Sequence, residues 1–600
     1  MPTTRAADSA RAGVKAARDS TRKLTRRARQ KESSYERVSR TRAPVTFRSY
    51  GRDCDEIVGR FCLTFDPNEF QRHIPEEPPV IGAARTDAIG ALERAASVAP
   101  ADSVTARALL RLLVAARRDT AALAAARRYA AVAEGPWGDL LEGFAWHALG
   151  DDTAAAVRFR RGIAALPERE RRRLRPEHLV SEDEGGRYKH LPDSLRVGYE
   201  AALWKLADPL YLTPGNEVLT EHWARYVWGR MLAEVTPVAG MVTWGEDLEE
   251  LTFRYGVPQS RERVPAELWE IHDNYIEHFD SIQRAFLPES LLTMGVREVP
   301  EPGSAWTLAD ARARSGYAPR GIRRDTGLAV QVTRFPVGDS VVLRVDGALA
   351  LDSIARESLA RDAGRVRTGL YALRGLTDLL RGDTAVVRAE TASVVSRGDT
   401  ARLAIAVTLP AGAYVFSAEA LEPASGLAAQ ARYAIALLPA LVSSVRRPRL
   451  TLSDILLARA LAGARPAERG SPALRALSQP IAAAGDTLGL YAEVTGLDTA
   501  GAGRYYVALE LRRAGGPPPR LLGVFRRRPA RVVRMSWIEE YRDPRAGPDG
   551  GGRPGAPAAL TTDLALPPGV SPGLYELVLQ VTKPGSEPAS ATRLVRIRKR

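Results

Sequence analysis

The sequence predicts a multidomain α+β protein with a helical front half, a tryptophan-rich mixed middle and two all-β domains behind it. Three observations carry that expectation. Apolar residues recur at three- and four-residue spacing from about residue 84 to 170, and at two-residue spacing from about residue 326 onward. Four of the nine tryptophans fall within residues 204–258. A chain of 600 residues also exceeds what one core organises.

Residues 1–50 hold fourteen Arg and Lys against four Asp and Glu, a net +10 of the chain's +15. The remainder is nearly balanced. Only seven of the 86 basic residues are lysine, so the arginines, with abundant alanine, read as compositional bias rather than phosphate binding. Beyond residue 50 no basic cluster is interleaved with stacking aromatics, which argues against nucleic acid as a partner. Few apolar residues and high charge predict that residues 1–50 are a disordered basic leader. An anionic-surface tether and an export leader are the alternatives, although the segment lacks the apolar core of a signal peptide. No run of about 18 apolar residues occurs, so no transmembrane segment is expected.

Residues 51–83 form a connector holding both cysteines, Cys54 and Cys62. A helix would place them about 12 Å apart along its axis, and a disulfide needs Cα atoms within about 7 Å. A bridge therefore requires a turn or loop. Two readings stay open: an oxidised staple, which goes with export to the periplasm, cell envelope or medium, and two separate thiols in a cytoplasmic protein. With only His73 nearby, the four-ligand zinc pattern is missing. No metal and no other cofactor is expected.

Residues 84–175 predict stacked helices. In GFAWHALGDDTAAAVRFRRGIAALP, Gly143, Trp146, Gly150, Ala155, Phe159, Gly162 and Pro167 alternate small and large side chains. Small residues admit a neighbouring helix, and large ones fill the groove between. The pattern resembles a tetratricopeptide (TPR) repeat, and the resemblance implies a concave surface for a peptide or partner helix. A plain Ala-rich bundle is the alternative.

Residues 176–325 form the tryptophan-rich domain. Asn216 precedes a helical run as its N-cap, with Glu217 in the first turn. From 326 onward, alternation and β-branched content predict strands such as GLAVQVTRF, ARLAIAVTL and LYELVLQVT. Gly-Asp-Ser/Thr recurs before strands at Gly338, Gly382, Gly398 and Gly485, where glycine suits a tight turn and Asp can accept from local amides. Gly412/Gly573, Tyr414/Tyr575, Pro423/Pro584 and Ser425/Ser586 share one offset of 161. Two related β-sandwiches of immunoglobulin-like size, 326–448 and 449–600, account for that duplication.

The tryptophan block resembles the uncharacterised bacterial GWxTD-type domain. Asp208, Pro209, Thr213, Asn216 and Glu217 match its first element. Trp244 and Asp247 match the second, with Thr243 and Glu246 where the family has Gly and Thr. Tyr255, Gly256 and Pro258 match the third, which is a strand end in the family pattern. The match spans about 55 residues. Such proteins carry TPR-like helices before this domain and β-sandwiches after it, and are often exported, so the resemblance implies architecture and compartment. It supplies no catalytic residue.

Recognisable reaction chemistry is absent. Gly569–Gly573 matches the nucleophile-elbow spelling around Ser571 but precedes a strand, where the elbow needs a strand-to-helix turn. His272 and His278, if helical, face about 240° apart and cannot share a metal. The main expectation is a non-enzymatic interaction or scaffold protein of the cell envelope that binds a protein or peptide. Trp146, Trp204, Trp223, Trp228, Trp244 and Tyr255 are its candidate binding side chains. The rival is a hydrolase using Asp208, Glu217, His222 and Asp247 as an acid–base cluster. A third reading is anionic-surface or nucleic-acid binding through the basic leader.

Overall fold

The structure, a computed structural model, describes residues 3–42, 46–47, 56–63, 76–176, 182–235, 244–256, 260–264, 274–278, 324–325, 328–362, 365–374, 386–393, 399–438, 450–466, 468–471, 473–497, 503–514, 520–521, 525–526, 531–541 and 557–599. Two compact units divide the chain: residues 1–289 with 308–321, and residues 290–307 with 322–600. Helices dominate the first and antiparallel sheets the second, an α+β multidomain architecture as expected.

In the first unit, the expected disordered leader is instead the helix α1 (Thr3–Arg42). Arginine and alanine are good helix formers, and α1 packs along α2 (Pro79–Val98). Ala28 and Tyr35 are buried there. Two of its acids also turn inward: Arg111 holds Glu32 at 3.0 Å and Glu36 at 2.6 Å. Lys31 meets Asp87 at 2.8 Å. So few positions are buried that charge masked the helix in the sequence.

The helices α3 (Ser103–Ala115), α4 (Asp119–Ala130), α5 (Trp137–Leu149) and α6 (Asp152–Ala164) follow with short connections. The α5–α6 pair shows why small residues were spaced as they were. A Cβ on Gly143 would stand 2.8 Å from the Phe159 ring, and one on Gly162 would stand 2.8 Å from Leu140 Cγ. Gly150 ends α5 at φ +85°, a left-handed cap that glycine adopts without strain.

Beyond α7 (Glu168–Arg172) and α8 (Glu182–His190) come α9 (Asp193–Ala207), α10 (Glu217–Leu232) and α11 (Glu246–Tyr255). Asn216 caps α10 as expected, accepting from Leu219 N at 2.9 Å. The segment ending at Tyr255 is helix rather than the strand of the family pattern. Helix α10 packs across α3, α5 and α6. One core therefore runs unbroken from Ala28 through α2–α6 to Tyr226 and Phe253, while Trp204, Ala207 and Val218 form a small cluster of their own.

The connector is partly a hairpin, with Glu56–Val58 pairing with Phe61–Leu63. Phe61–Leu63 in turn joins Asn274–His278, which pairs with Ser260–Val264. His278 thus ends a strand rather than riding a helix, and His272 lies outside the described residues. Cys62 sits in Phe61–Leu63, whereas Cys54, and with it the choice between a bridge and two thiols, lies outside the described residues.

The second unit holds two sandwiches. The first stacks the sheet Val386–Ser393, Val366–Arg374, Gly412–Glu422, Leu427–Leu437, Arg324–Asp325 on the sheet Thr400–Pro410, Ser340–Ala350, Ala329–Val337. In the second, Thr487–Thr495 pairs with Leu456–Arg459, Thr451–Leu452 and Ala558–Ala565. Its other sheet runs Ile481–Ala483, Ala589–Arg598, Gly573–Thr582, Gly503–Arg513, Arg531–Tyr541.

The duplication has a matching local geometry. Gly412 and Gly573 open equivalent strands at φ +156° and +155°. The Tyr414 hydroxyl donates to Pro410 O at 3.0 Å, and the Tyr575 hydroxyl donates to Ser571 O at 2.7 Å. Each phenol reaches back four residues to pin its corner. Ser571 thus lies in a turn before a strand, not in a nucleophile elbow. Of the four Gly-Asp turns, those at Gly338 (φ +59°) and Gly485 (φ +85°) are described. Asp486 accepts from Ala483 N at 2.7 Å, as the turn chemistry requires.

Candidate functional site

The titratable residues of the first unit converge where α10 crosses α5 and α6. His147 on α5 is buried between two carboxylates. Its Nδ1 lies 3.1 Å from Asp152 Oδ1 and its Nε2 lies 2.7 Å from Glu221 Oε2. Each ring nitrogen thus faces a carboxylate oxygen. Thr220 donates its hydroxyl to the same Asp152 oxygen at 2.6 Å. Arg225, four residues after Glu221 on one helix face, donates Nε–H to Glu221 Oε1 at 2.8 Å. Its Nη1 reaches the carbonyls of Arg254 at 2.8 Å and Phe253 at 3.3 Å, closing α11 onto α10.

Burial opposes the charge on Glu221, yet Arg225 and His147 outweigh it and hold the carboxyl well below the usual carboxylate range. Gly215, at φ +113°, lets the loop before α10 approach: a Cβ there would stand 2.9 Å from Asp152 Cβ. The node therefore fastens α5 and α6 to α10 by charge-assisted bonds.

The four candidate acid–base residues are distributed among other duties. Asp247 is taken by Arg60 in the hairpin turn, at 2.6 Å to Nε and 2.7 Å to Nη2. Gly59 stands at φ +54° directly against it. His222 Nε2 bonds the Leu174 carbonyl at 2.8 Å. Its ring lies between Trp204 (centroids 4.9 Å) and Phe253 (5.9 Å). Glu217 Oε1 accepts the Thr213 hydroxyl at 2.6 Å. Asp208, Glu217 and His222 are all buried.

Of the candidate binding tryptophans, Trp204 is buried and Trp146, Trp223, Trp228 and Trp244 are half-buried. Trp228 stacks on Phe144 at 5.7 Å, and Trp223 meets Phe159 edge-on at 5.9 Å. Trp204 is 9% exposed, and its carbonyl accepts from Asn216 Nδ2 at 2.7 Å. Trp244 lies over Gly229 of α10, 3.9 Å from where a Cβ would stand. Trp146 carries the Arg127 guanidinium 4.9 Å above its ring. Tyr255 is the last residue of α11.

Sequence reasoning missed His147, Asp152, Arg225 and Arg60. The Glu221–Arg225 spacing was a readable helix pair. Arg60 and Asp247, 187 residues apart, left no local trace.

Neither of two grooves formed by described residues contains any of the four acid–base candidates. One, of about 470 Å³, has mixed charge and includes Glu168, Arg172, Asp193 and Arg196. The other, of about 750 Å³, runs along the outer side of α1. Among the described residues no helix is long and apolar enough to cross a membrane.

No protein-family model matches the chain, and no curated protein matches it. Among solved structures it is similar to a red sea bream transglutaminase at 11% identity, over 46% of this chain and 32% of that one, with a TM-score of 0.13. A putative membrane anchored protein from Corynebacterium diphtheriae matches at 11%, over 45% and 57%, with a TM-score of 0.13. Bacteroides uniformis beta-glucuronidase 2 matches at 9%, over 43% and 26%, with a TM-score of 0.16. The chain thus spans between about a quarter and three fifths of the solved chains it matches. Likenesses at these TM-scores carry no argument about this protein.

Proposed function

We propose that the chain is a non-enzymatic scaffold protein of the bacterial cell envelope that binds a protein or peptide partner. In this reading the front helices are a TPR-like stack, α9–α11 form a GWxTD-like domain built into its core, and the two sandwiches are immunoglobulin-like. The observation that carries it is the closed node at α10. His147, Asp152, Glu221 and Arg225 bond one another and backbone carbonyls, and Asp247 is committed to Arg60. Groups so engaged act as ties between helices rather than as acids or bases waiting for substrate. Helix α10 also covers a side of α3, α5 and α6, which leaves partner contact to the outer helical surfaces. The GWxTD resemblance and its usual export support the compartment.

Affinity capture tests this. The immobilised full chain, exposed to envelope and cytosolic fractions, is expected to retain one protein in stoichiometric and saturable amount, identified by mass spectrometry. Retention of none, or ester or peptide hydrolysis by the wild type that Asp208→Asn abolishes, would overturn it.

A further inference from the structure

We propose that the outer groove of α1 is the partner-binding surface and that its ligand is an acidic peptide segment. This deepens the scaffold reading and rests on it. The second half of α1 sorts its charges by face: Glu32 and Glu36 point inward to Arg111, and Lys31 is taken by Asp87. The exposed Asp19 falls on the outward arc one turn before Arg22 and lowers the charge at that end only. Outward, Arg22, Arg26, Arg29 and Arg37 line the groove. At 3.6 residues per turn they fall within about 80° of arc and span about 22 Å. Asp102, before α3, lies 3.8 Å from Arg29. Arg22, Arg26 and Arg37 have no acidic partner among the described residues and are exposed. So many like charges on one stripe repel one another, and a bound anion relieves that repulsion.

The chemistry of the groove selects among anions. Guanidinium forks match carboxylates bidentately. Gln30 and Asp102 also line the groove, and their oxygens suit the backbone N–H groups of a polypeptide. The sugar–phosphate chain of a nucleic acid has no such donors. No aromatic side chain lines the groove, so single-stranded bases have nothing to stack on. Ala28 and Tyr35 are already spent in the core, so attraction of α1 to an anionic membrane would rest on surface charge alone, without apolar insertion. A length of about 22 Å accommodates roughly seven extended residues at 3.3 Å each.

The test is fluorescence anisotropy on the full chain, with a labelled peptide of alternating glutamate and serine as probe. Competing probes are a duplex DNA and phosphatidylserine vesicles at equal ionic strength. The peptide is expected to bind most tightly. Its Kd should rise at least about tenfold in Arg26→Glu/Arg29→Glu, the cost of losing charge-assisted contacts. A control of equal charge change, Arg128→Glu/Arg160→Glu, is expected to shift Kd less than about twofold. Circular dichroism checks that both variants stay folded. No peptide binding by the wild type, equal loss in the control, or tighter binding to DNA or vesicles would overturn the assignment. Repeating the affinity capture with Arg26→Glu/Arg29→Glu separates the two ideas. A partner held by both proteins leaves the scaffold reading standing and removes the groove.

Discussion

Arg225→Ala is expected to destabilise the first unit by about 3 kcal/mol, the scale for breaking one side of a buried ion pair. The side chain is 4% exposed. Its removal strands the Glu221 carboxylate beside His147 and leaves the carbonyls of Phe253 and Arg254 without their donor. The pH dependence has a definite sign. The Glu221 pKa is depressed from its ordinary value of 4.5 on folding. Its stabilisation is therefore present above that value and fades as pH falls through the folded pKa. The deficit of Arg225→Ala should be largest near neutrality and shrink in acid. Urea unfolding of wild type and variant at several pH values measures both, and a loss below about 0.5 kcal/mol at pH 7 would mean the node carries no weight.

Phe335→Ala is expected to cost about 3–5 kcal/mol, because it opens a cavity where the two sandwiches meet. Phe335 is fully buried with Leu456, Leu461, Leu474 and Tyr491 in a cluster of its own. Tyr491 meets it edge-on at 6.0 Å, and the Arg469 guanidinium lies 5.2 Å from its ring centre. The surrounding joint is polar and closed. Arg334 grips Asp454 at 2.7 and 2.9 Å. The fully buried Gln331 bonds Leu457 N, Leu457 O and Leu477 O at 2.7–2.9 Å. Arg593 reaches the Val332 carbonyl at 2.6 Å. With so many directional bonds across it, the joint holds the sandwiches at one angle. Calorimetry should show a single unfolding transition for them in the wild type and two in the variant. A variant that melts as one transition at the wild-type temperature would show the joint to be incidental.

The strands that alternated cleanly were legible, as were the Asn216 cap and the corner shared by Tyr414 and Tyr575. Leu427–Leu437 was not, because LAAQARYAIAL is alanine-rich and buried nearly throughout, which erases the period of two. The helix Ser353–Asp362 inside the first sandwich was hidden in a short polar run, although Asp352 accepts from Ala355 N at 2.8 Å as an N-cap does. Helix α1 was hidden by its charge. At the candidate site, Trp223 and Trp228 ride α10 and pack on Phe159 and Phe144, contacts that helix periodicity alone does not specify. The bonds that define the node join residues tens of positions apart, such as His147 and Glu221, and follow from tertiary approach that no spacing rule encodes.

Helix α10 is an integral wall of the helical core, locked to α5 by the His147 node. Amide hydrogen exchange read by mass spectrometry checks this. Peptides from Glu217–Leu232 and Trp137–Leu149 are expected to exchange with the same slow rate, and Arg225→Ala to accelerate both together. Rapid exchange throughout α10 while α5 stays protected would contradict it, and would describe a mobile helix over an accessible chamber.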